Sequence, residues 1–197
     1  MIRNDKSHIS GTNHLGIILA WLALALLAGW SGLTARMRLP VPQVILFGST
    51  GLILLAFWRA EKFRAWIFNL PPRALVLPHA VRFIGFYFLV LHARGELPRA
   101  FAVPGGWGDI ATATLALLVS MMNAETRLGK RAYLTWNILG LLDILFVAAT
   151  ATRLFLADPD SMSALLRLPL SLLPTFIVPL ILATHVMLFA RLAHRKH

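Results

Sequence analysis

The chain has 197 residues, of which 58% are apolar and only 14% are charged. Its mean hydropathy of +0.72 is far from that of a soluble domain and predicts a protein dissolved in a lipid bilayer. The 19 basic residues outnumber the 8 acidic ones, but they are dispersed between apolar segments, which argues against nucleic-acid binding and favours anionic lipid headgroups as partners. The absence of cysteine excludes disulfides, thiolate metal ligands and cysteine nucleophiles.

Six apolar segments follow one another along the chain, most of them near the roughly 20 residues that cross the hydrocarbon layer. They predict an all-α fold, a single transmembrane domain over residues 1–197 built as a bundle of six transmembrane helices. The predicted spans are Leu15–Trp30, Val41–Trp58, Ala74–His92, Asp109–Met122, Leu134–Thr152 and Ser171–Ala190. The basic leader and first apolar segment also fit a secretory signal peptide, whose cleavage would leave five spans and an external N-terminus.

Basic residues in the loops set the predicted orientation, because the side that is richer in Lys and Arg stays in the cytoplasm. Twelve of them lie on one side of the spans and six on the other, which predicts that both termini are cytoplasmic and that the protein is a multi-pass protein of the cell inner membrane. The twelve are Arg3, Lys6, Arg59, Lys62, Arg64, Arg73, Arg127, Lys130, Arg131, Arg191, Arg195 and Lys196, and the six are Arg36, Arg38, Arg94, Arg99, Arg153 and Arg167.

Two connecting segments are predicted to be short helices. Residues Arg59–Leu70 have apolar side chains at helical spacing and charged ones elsewhere, which is typical of an amphipathic helix at the membrane interface that ends at Pro71-Pro72. On the other side, Asp158 or Asp160 is expected to cap a short helix that runs towards Leu168. The segment Gly48–Gly51, together with Gly85 and Gly140, is expected to permit close helix contacts.

The most distinctive part of the chain starts with Arg82-x-x-Gly85-x-x-Phe88-Leu89 and continues with Gly95-x-Leu97-Pro98-x-x-Phe101-Ala102-x-Pro104-x-Gly106-x-Gly108-Asp109. Trp136-Asn137-x-x-Gly140-x-x-Asp143 and Leu173-Pro174-x-x-x-x-Pro179 with His185 follow further along. This pattern, over about Pro78 to His185, resembles that of an uncharacterised group of small bacterial polytopic inner-membrane proteins. The resemblance implies a bacterial inner-membrane protein and implies nothing about its chemistry.

The segment Pro98–Asp109 is expected to bend, since it combines prolines with three glycines in four residues. It is interpreted as an external loop in which Asp109 is the N-cap of the fourth helix, with re-entry into the bilayer as the alternative.

Ionisable and polar residues within the spans are expensive in hydrocarbon and form the candidate binding site: Arg82, His92, Asp109, Asn137, Asp143 and His185. Counting at 1.5 Å per residue places Arg82 and Asp143 roughly 12 and 14 Å from the cytoplasmic starts of their helices, and His185 about 8 Å from the cytoplasmic end of its own. Asp109 and His92 are expected at the outer end. The stripe Asp109, Thr112, Ala116 and Ser120 is expected to face the bundle interior.

Several interpretations of these residues stay open. Arg82 and Asp143 form either a structural ion pair or an anion and proton site in which the guanidinium orients a carboxylate or phosphate. His79 and His92, thirteen residues apart, raise a haem hypothesis that lacks a complete second histidine pair, because only His185 with His194 or His8 with His14 remain. No catalytic residue, metal ligand set or cofactor is identified, and no hydrolase or transferase signature is present.

The sequence therefore favours small-solute binding or proton-linked transport through a polar site inside the membrane. The alternatives are a non-catalytic scaffold or accessory subunit, and a haem or metal protein. A homo-oligomer or a membrane-complex partner is compatible with all three.

Overall fold

The computed structural model describes the backbone of residues 5–194 and the side chains of residues 14–194. The side chains of Arg3, Lys6, Arg195 and Lys196, which the predicted orientation uses, and that of His8 lie outside this range. Within it the chain is helical and contains no strand. The α-helices are α1 (Asp5–Trp30), α2 (Val41–Arg59), α3 (Glu61–Asn69), α4 (Pro72–Val76), α5 (Gly85–Ala93), α6 (Arg99–Ser120), α7 (Arg127–Ala157) and α8 (Val178–Ala193).

Among the residues that the structure describes, five helical segments are long and apolar enough to cross a membrane. They are Val41–Arg59, Pro72–Ala93, Arg99–Ser120, Arg127–Ala157 and Leu173–Ala193, and each contains most of one of the predicted spans from the second to the sixth. The first predicted span corresponds to the shorter apolar part of α1, His14–Trp30. Large apolar side chains such as Leu52 and Leu142 are exposed around the bundle, as a protein surrounded by lipid requires. The chain is a multi-pass membrane protein.

The segment Pro72–Ala93 is irregular at its centre. It starts as α4, continues as a 3₁₀ helix over Leu77–Ile84 and ends as α5. Pro78 lacks a backbone N–H and cannot donate the α-helical hydrogen bond at this point. A 3₁₀ helix has three residues per turn, so His79 and Arg82 lie on the same face, and both are buried.

The segment Pro98–Asp109 is not the external loop that the sequence predicts. The structure has a helix from Arg99 onward, with Pro104 inside it, and Asp109 is a buried residue in its middle rather than an N-cap. The glycines of this segment serve close packing instead of bending. A Cβ at Gly106 would lie 2.9 Å from the Gly85 carbonyl oxygen, and one at Gly105 would lie 3.5 Å from Val147. Further along α6, the predicted polar stripe is buried at Asp109, Thr112 and Ala116.

The two ends of the bundle have separate apolar cores. The end that carries α3, here called the α3 end, contains Phe57, Ile67, Val76, Tyr133 and Leu188. The opposite end, which carries the connections 33–40, 94–98 and 158–172, contains Phe88, Phe101, Phe155, Met162 and Leu170. Helix α6 contacts α5, α7 and the 3₁₀ helix, and α8 contacts α2 and α7. Buried polar residues that include His79, Arg82, Asp109, Asn137 and His185 lie between these two apolar cores.

Both short connecting helices are present, with different details from those expected. Helix α3 occupies Glu61–Asn69, with Ile67 buried against the core of its end. At the opposite end, a 3₁₀ helix spans Asp160–Leu166. Neither Asp158 nor Asp160 caps it, since the N-cap position is Pro159 and makes no side-chain hydrogen bond there. Met162, Leu165 and Leu166 anchor this helix by burial instead.

Glycines divide into those that permit contact between helices and those that do not. A Cβ at Gly85 would collide with the Gly106 carbonyl oxygen, whereas Cβ atoms at Gly48 and Gly51 would meet nothing within 4 Å. The expected close contact at Gly48–Gly51 is therefore wrong, because this face of α2 has no neighbouring helix within reach.

We predict that Gly85→Ala lowers the melting temperature of the detergent-purified protein, because overpacking at a backbone contact costs about 1–3 kcal/mol. Gly48→Ala is the matched control. It adds the same methyl group to a transmembrane helix in open space, and alanine is the better helix former. The control should melt at or slightly above the wild-type temperature. Equal melting temperatures for the two variants would contradict the contact between α5 and α6.

Candidate functional site

Arg82 is the centre of the buried polar region, with a relative exposure of 1%. Its Nε donates to Asp109 Oδ1 at 2.6 Å, its Nη1 donates to the Gly140 carbonyl oxygen at 3.1 Å, and its Nη2 donates to Asp143 Oδ2. The guanidinium thereby joins the 3₁₀ helix to α6 and α7. We refer to Arg82, Asp109 and Asp143 as the Arg82 triad.

Glycine makes this arrangement possible at two further positions. A Cβ at Gly108 would collide with the Asp143 carboxylate, so this carboxylate lies directly over the backbone of α6. On α7, Gly140 offers its carbonyl oxygen to Arg82, and a Cβ there would lie 2.9 Å from His185 Cε1. The bare backbone at Gly108 and Gly140 allows the charged groups to approach each other across three helices.

The charges of the triad do not cancel. One guanidinium faces two carboxylates, which leaves an excess of one negative charge when both are ionised. The exposed fractions of the side chains are 1% for Arg82, 5% for Asp109 and 19% for Asp143. An unbalanced charge at this depth is costly, and Asp143 is the member of the triad that is most open to its surroundings.

A second polar group, the histidine cluster, lies beside the triad towards the α3 end and consists of His79, Asn137, Thr184 and His185. His185 Nδ1 is 2.7 Å from Asn137 Oδ1, and Asn137 Nδ2 donates to the His185 carbonyl oxygen at 3.0 Å. His79 Nε2 is 3.0 Å from Thr184 Oγ1. The two imidazole rings are 4.5 Å apart between centroids.

The structure brings five of the six predicted residues into these two neighbouring groups. Arg82, Asp109 and Asp143 form the triad, and Asn137 and His185 belong to the histidine cluster. His92 lies apart, with Nδ1 3.2 Å from the Leu97 carbonyl oxygen near the opposite end. Asp109, expected at the outer end, is in the middle of α6, because α6 begins at Arg99.

His79 and Thr184 belong to this region and are not among the six predicted residues. The sequence instead associates His79 with His92, as one member of a haem pair. The 3₁₀ geometry turns it towards Trp136 and His185 instead, with ring centroids 4.8 and 4.5 Å away, so it does not share surroundings with His92. His79 lies three residues before Arg82 in the sequence. This spacing places the two side chains directly above each other only in a helix with three residues per turn.

A small cavity of about 80 Å³ adjoins the triad at Asp109. Its walls are almost entirely apolar and come from five helical segments, including Leu46, Phe101, Ile144, Val147 and Val178. A wider cavity of about 750 Å³ at the opposite end has Arg36, Arg38 and Asp160 among its lining residues. The two share Pro42, Phe155 and Leu166, so these apolar side chains lie between the wider cavity and the small cavity at Asp109.

Among the described residues, no group of three or more His, Cys, Asp or Glu is arranged to hold a metal ion. The two histidines of the cluster have no carboxylate in their hydrogen bonds, and the two carboxylates both face Arg82. The chemistry that the site offers is therefore hydrogen bonding, charge pairing and proton exchange.

Comparison with known proteins identifies one family. A family model described as a domain of unknown function (DUF8737) matches residues 39–193, which include the whole triad and the histidine cluster. No curated protein and no solved structure is significantly similar to the chain.

We predict that Arg82→Gln is the most destabilising single change in the triad, because it leaves two buried carboxylates without a cation. Breaking such a buried pair costs about 3–5 kcal/mol. Asp143→Asn should cost less, since the Arg82–Asp109 pair stays balanced. Melting temperature in detergent and accumulation in the membrane report the difference.

The control for this prediction is Arg94→Gln, which removes an exposed arginine near the opposite end and should leave stability unchanged within about 0.5 kcal/mol. If Arg82→Gln melts together with this control, the guanidinium does not hold the three helices together.

Proposed function

We propose that this chain, which belongs to the family described as a domain of unknown function (DUF8737), binds a small anionic solute and exchanges a proton at the Arg82 triad. The observation that carries the proposal is the ratio of one buried guanidinium to two carboxylates. At membrane depth an uncompensated carboxylate is expensive, so the triad favours a bound proton. A membrane protein with such a group suits proton-linked transport of the solute.

The geometry suggests how proton and solute are coupled. Each of the three guanidinium nitrogens of Arg82 has one partner, but Nη1 and Nη2 each carry a second N–H that can donate to a carboxylate or phosphate of the solute. Protonation of Asp143 leaves Arg82 balanced by Asp109 alone and makes the neutral acid a weaker acceptor, which frees Nη2. The solute anion then takes the position of the second anionic partner of the guanidinium.

Asp143 is the member of the triad best suited to gain and lose the proton. Its side chain is 19% exposed, whereas that of Asp109 is 5% exposed and lies against the Arg82 Nε. The proposed route to the triad from the opposite end starts in the wider cavity, where Arg36 and Arg38 attract anions, and passes the apolar side chains that separate it from the small cavity at Asp109.

The proposed setting is the inner membrane of a bacterium, with α1 as a sixth span and both termini in the cytoplasm. The loop charges support this orientation. It places the α3 end at the cytoplasmic face, where Arg59, Lys62, Arg64 and Arg73 surround the apolar side chains of α3 and suit anionic lipid headgroups.

A second candidate function has one observation in its favour. Because every guanidinium nitrogen of Arg82 donates to a group on one of two other helices, the triad also suits a purely structural lock in a scaffold or accessory subunit. The two functions differ in whether the carboxylates change protonation during activity.

We predict solute-dependent proton uptake by purified protein in sealed lipid vesicles that contain a pH-sensitive dye. Inorganic phosphate and succinate, added outside, are the probes. Asp143→Asn should reduce the uptake by about a hundredfold, the scale of a lost proton-transfer group. The matched control is Asp158→Asn, which changes a carboxylate in the loop after α7 and should behave as wild type.

Wild-type protein that moves no more protons than empty vesicles with either probe, while retaining its melting temperature, supports the structural lock instead.

We also predict that reporter fusions after His197 and within the loop 121–126 are active as cytoplasmic reporters. Fusions within 94–98 should be active as periplasmic reporters. That side of the spans has six basic residues and the other has twelve, and the side with more basic residues stays in the cytoplasm. A periplasmic signal after His197 contradicts the orientation, and one from a fusion before Leu15 alone contradicts the sixth span.

A further inference from the structure

Two ring nitrogens of the histidine cluster have no hydrogen-bond partner. They are His79 Nδ1 and His185 Nε2, and the two residues are 1% and 0% exposed. Buried polar atoms are nearly always satisfied in proteins, so two neighbouring exceptions need a physical explanation. The remaining hydrogen bonds of both rings settle which proton each ring carries.

The tautomer of His185 follows from Asn137. Because Asn137 Nδ2 donates to the His185 carbonyl oxygen at 3.0 Å, the amide is fixed with Oδ1 towards the imidazole. Oδ1 can only accept, so His185 Nδ1, 2.7 Å away, carries the hydrogen. In a neutral ring Nε2 is then an unprotonated acceptor.

The tautomer of His79 follows from Thr184. The single hydroxyl hydrogen of Thr184 is directed to the backbone, with the Leu180 and Ile181 carbonyl oxygens both at 2.9 Å. Thr184 Oγ1 therefore accepts from His79 Nε2, 3.0 Å away. In a neutral ring Nδ1 of His79 is the unprotonated acceptor. Each histidine thus presents one free lone pair in a buried place.

Charged groups lie close to these lone pairs. Arg82 on the 3₁₀ helix, Asp109 on α6 and Asp143 on α7 hold one uncompensated negative charge when both carboxylates are ionised, and the other charged groups of the helices around the pair, Arg73, Arg99, Arg127, Lys130, Arg131 and Arg153, lie nearer the helix ends. Helix α2 adds no charge before Arg59 at the α3 end, and α8 adds none before Arg191. Gly140 separates the two groups, and a Cβ there would lie 3.4 Å from His185 Nε2.

We propose that His79 and His185 form a second proton-binding position, on the α3 side of the Arg82 triad, which receives the proton that the triad exchanges. This inference rests on the proposed function. The step moves one proton and no electrons. Because His185 Nε2 has no direct hydrogen-bond partner, the proton crosses through a bridging water: an O–H bond of the Asp143 carboxylic acid breaks, the water passes a proton on, and an N–H bond forms at His185 Nε2, which leaves a carboxylate and an imidazolium.

From His185 Nε2 the proton passes to His79 Nδ1 in the neighbouring ring, whose centroid is 4.5 Å away, again through a bridging water because neither nitrogen has a direct hydrogen-bond partner. His79 then holds hydrogens on both nitrogens and can release the one on Nε2 through Thr184, which is only partly buried. This sequence leads from the middle of the bundle towards the α3 end. The solute is proposed to reach the triad from the opposite end. The proton and the solute therefore use different sides of the triad.

The first part of the test is nitrogen NMR of ¹⁵N-histidine-labelled protein in lipid bilayers, with signals assigned by His79→Gln and His185→Gln. In the neutral state we expect opposite tautomers, with hydrogen on Nδ1 of His185 and on Nε2 of His79. Within the pH range of vesicle proton uptake, one ring of the pair should become doubly protonated. A pair that stays neutral while uptake proceeds overturns the proposal.

The second part measures proton uptake in the same vesicle assay. His185→Gln and His79→Gln should each lower it by about a hundredfold. The matched control is His194→Gln, an exposed histidine whose ring contacts Phe68 at the end of the bundle. Thr184→Val keeps the shape of the side chain but removes the acceptor of His79 Nε2, so it should lower the melting temperature, release the fixed tautomer of His79 and lower the uptake of the protein that folds.

The outcomes separate this inference from the proposed function. Loss of uptake in Asp143→Asn with wild-type uptake in the histidine and Thr184 variants overturns the histidine position and leaves the triad intact. Loss in both sets, with the His194 control unaffected, supports both. Wild-type protein without uptake overturns both together.

Discussion

The burial of one guanidinium in a membrane-embedded bundle is the constraint on which the rest of this structure depends. No bulk water reaches Arg82 to satisfy its nitrogens, so each must find an acceptor within the protein, and the three acceptors come from α6 and α7. Side chains as short as aspartate reach the guanidinium only if the helices approach closely. The glycines at 85, 106, 108 and 140 therefore follow from the arginine, since a Cβ at each would meet a neighbouring helix.

The Arg82 triad contributes both to the stability of the fold and to the proposed proton exchange, and these two roles require different numbers of carboxylates. A structural lock needs one carboxylate for one guanidinium, whereas this site holds two, with two neutral histidines beyond Gly140. A second carboxylate costs free energy unless a proton or a cation accompanies it. The proposed exchange of protons uses this cost. A carboxylate that is stable at this depth only when it is protonated is readily replaced by an incoming anion as a partner of Arg82.

Irregular backbone lies on both sides of the polar region. The 3₁₀ helix Leu77–Ile84 carries His79 and Arg82, and the π-helical turn Leu173–Ile177 supplies Leu173 and Pro174 to the cavity beside Asp109. Departures from α-helical hydrogen bonding within a membrane are tolerated where the backbone is buried in protein or lines a cavity. Both places meet that condition, and such interruptions often mark functional positions.

Hydropathy and loop charge by themselves determined that this chain is an all-helical multi-pass membrane protein, because the bilayer imposes length and composition on each span. The free-energy cost of placing ionisable side chains within the membrane likewise identified Arg82, Asp143 and His185 as candidate site residues. Only the tertiary structure decided that Pro98–Asp109 is helical, that Asp109 shares Arg82, and that His79 joins His185 while His92 does not. These facts depend on which glycine backbones contact each other and on the rotation of each helix about its axis. Both are set by packing between residues far apart in the chain, which local sequence periodicity does not encode.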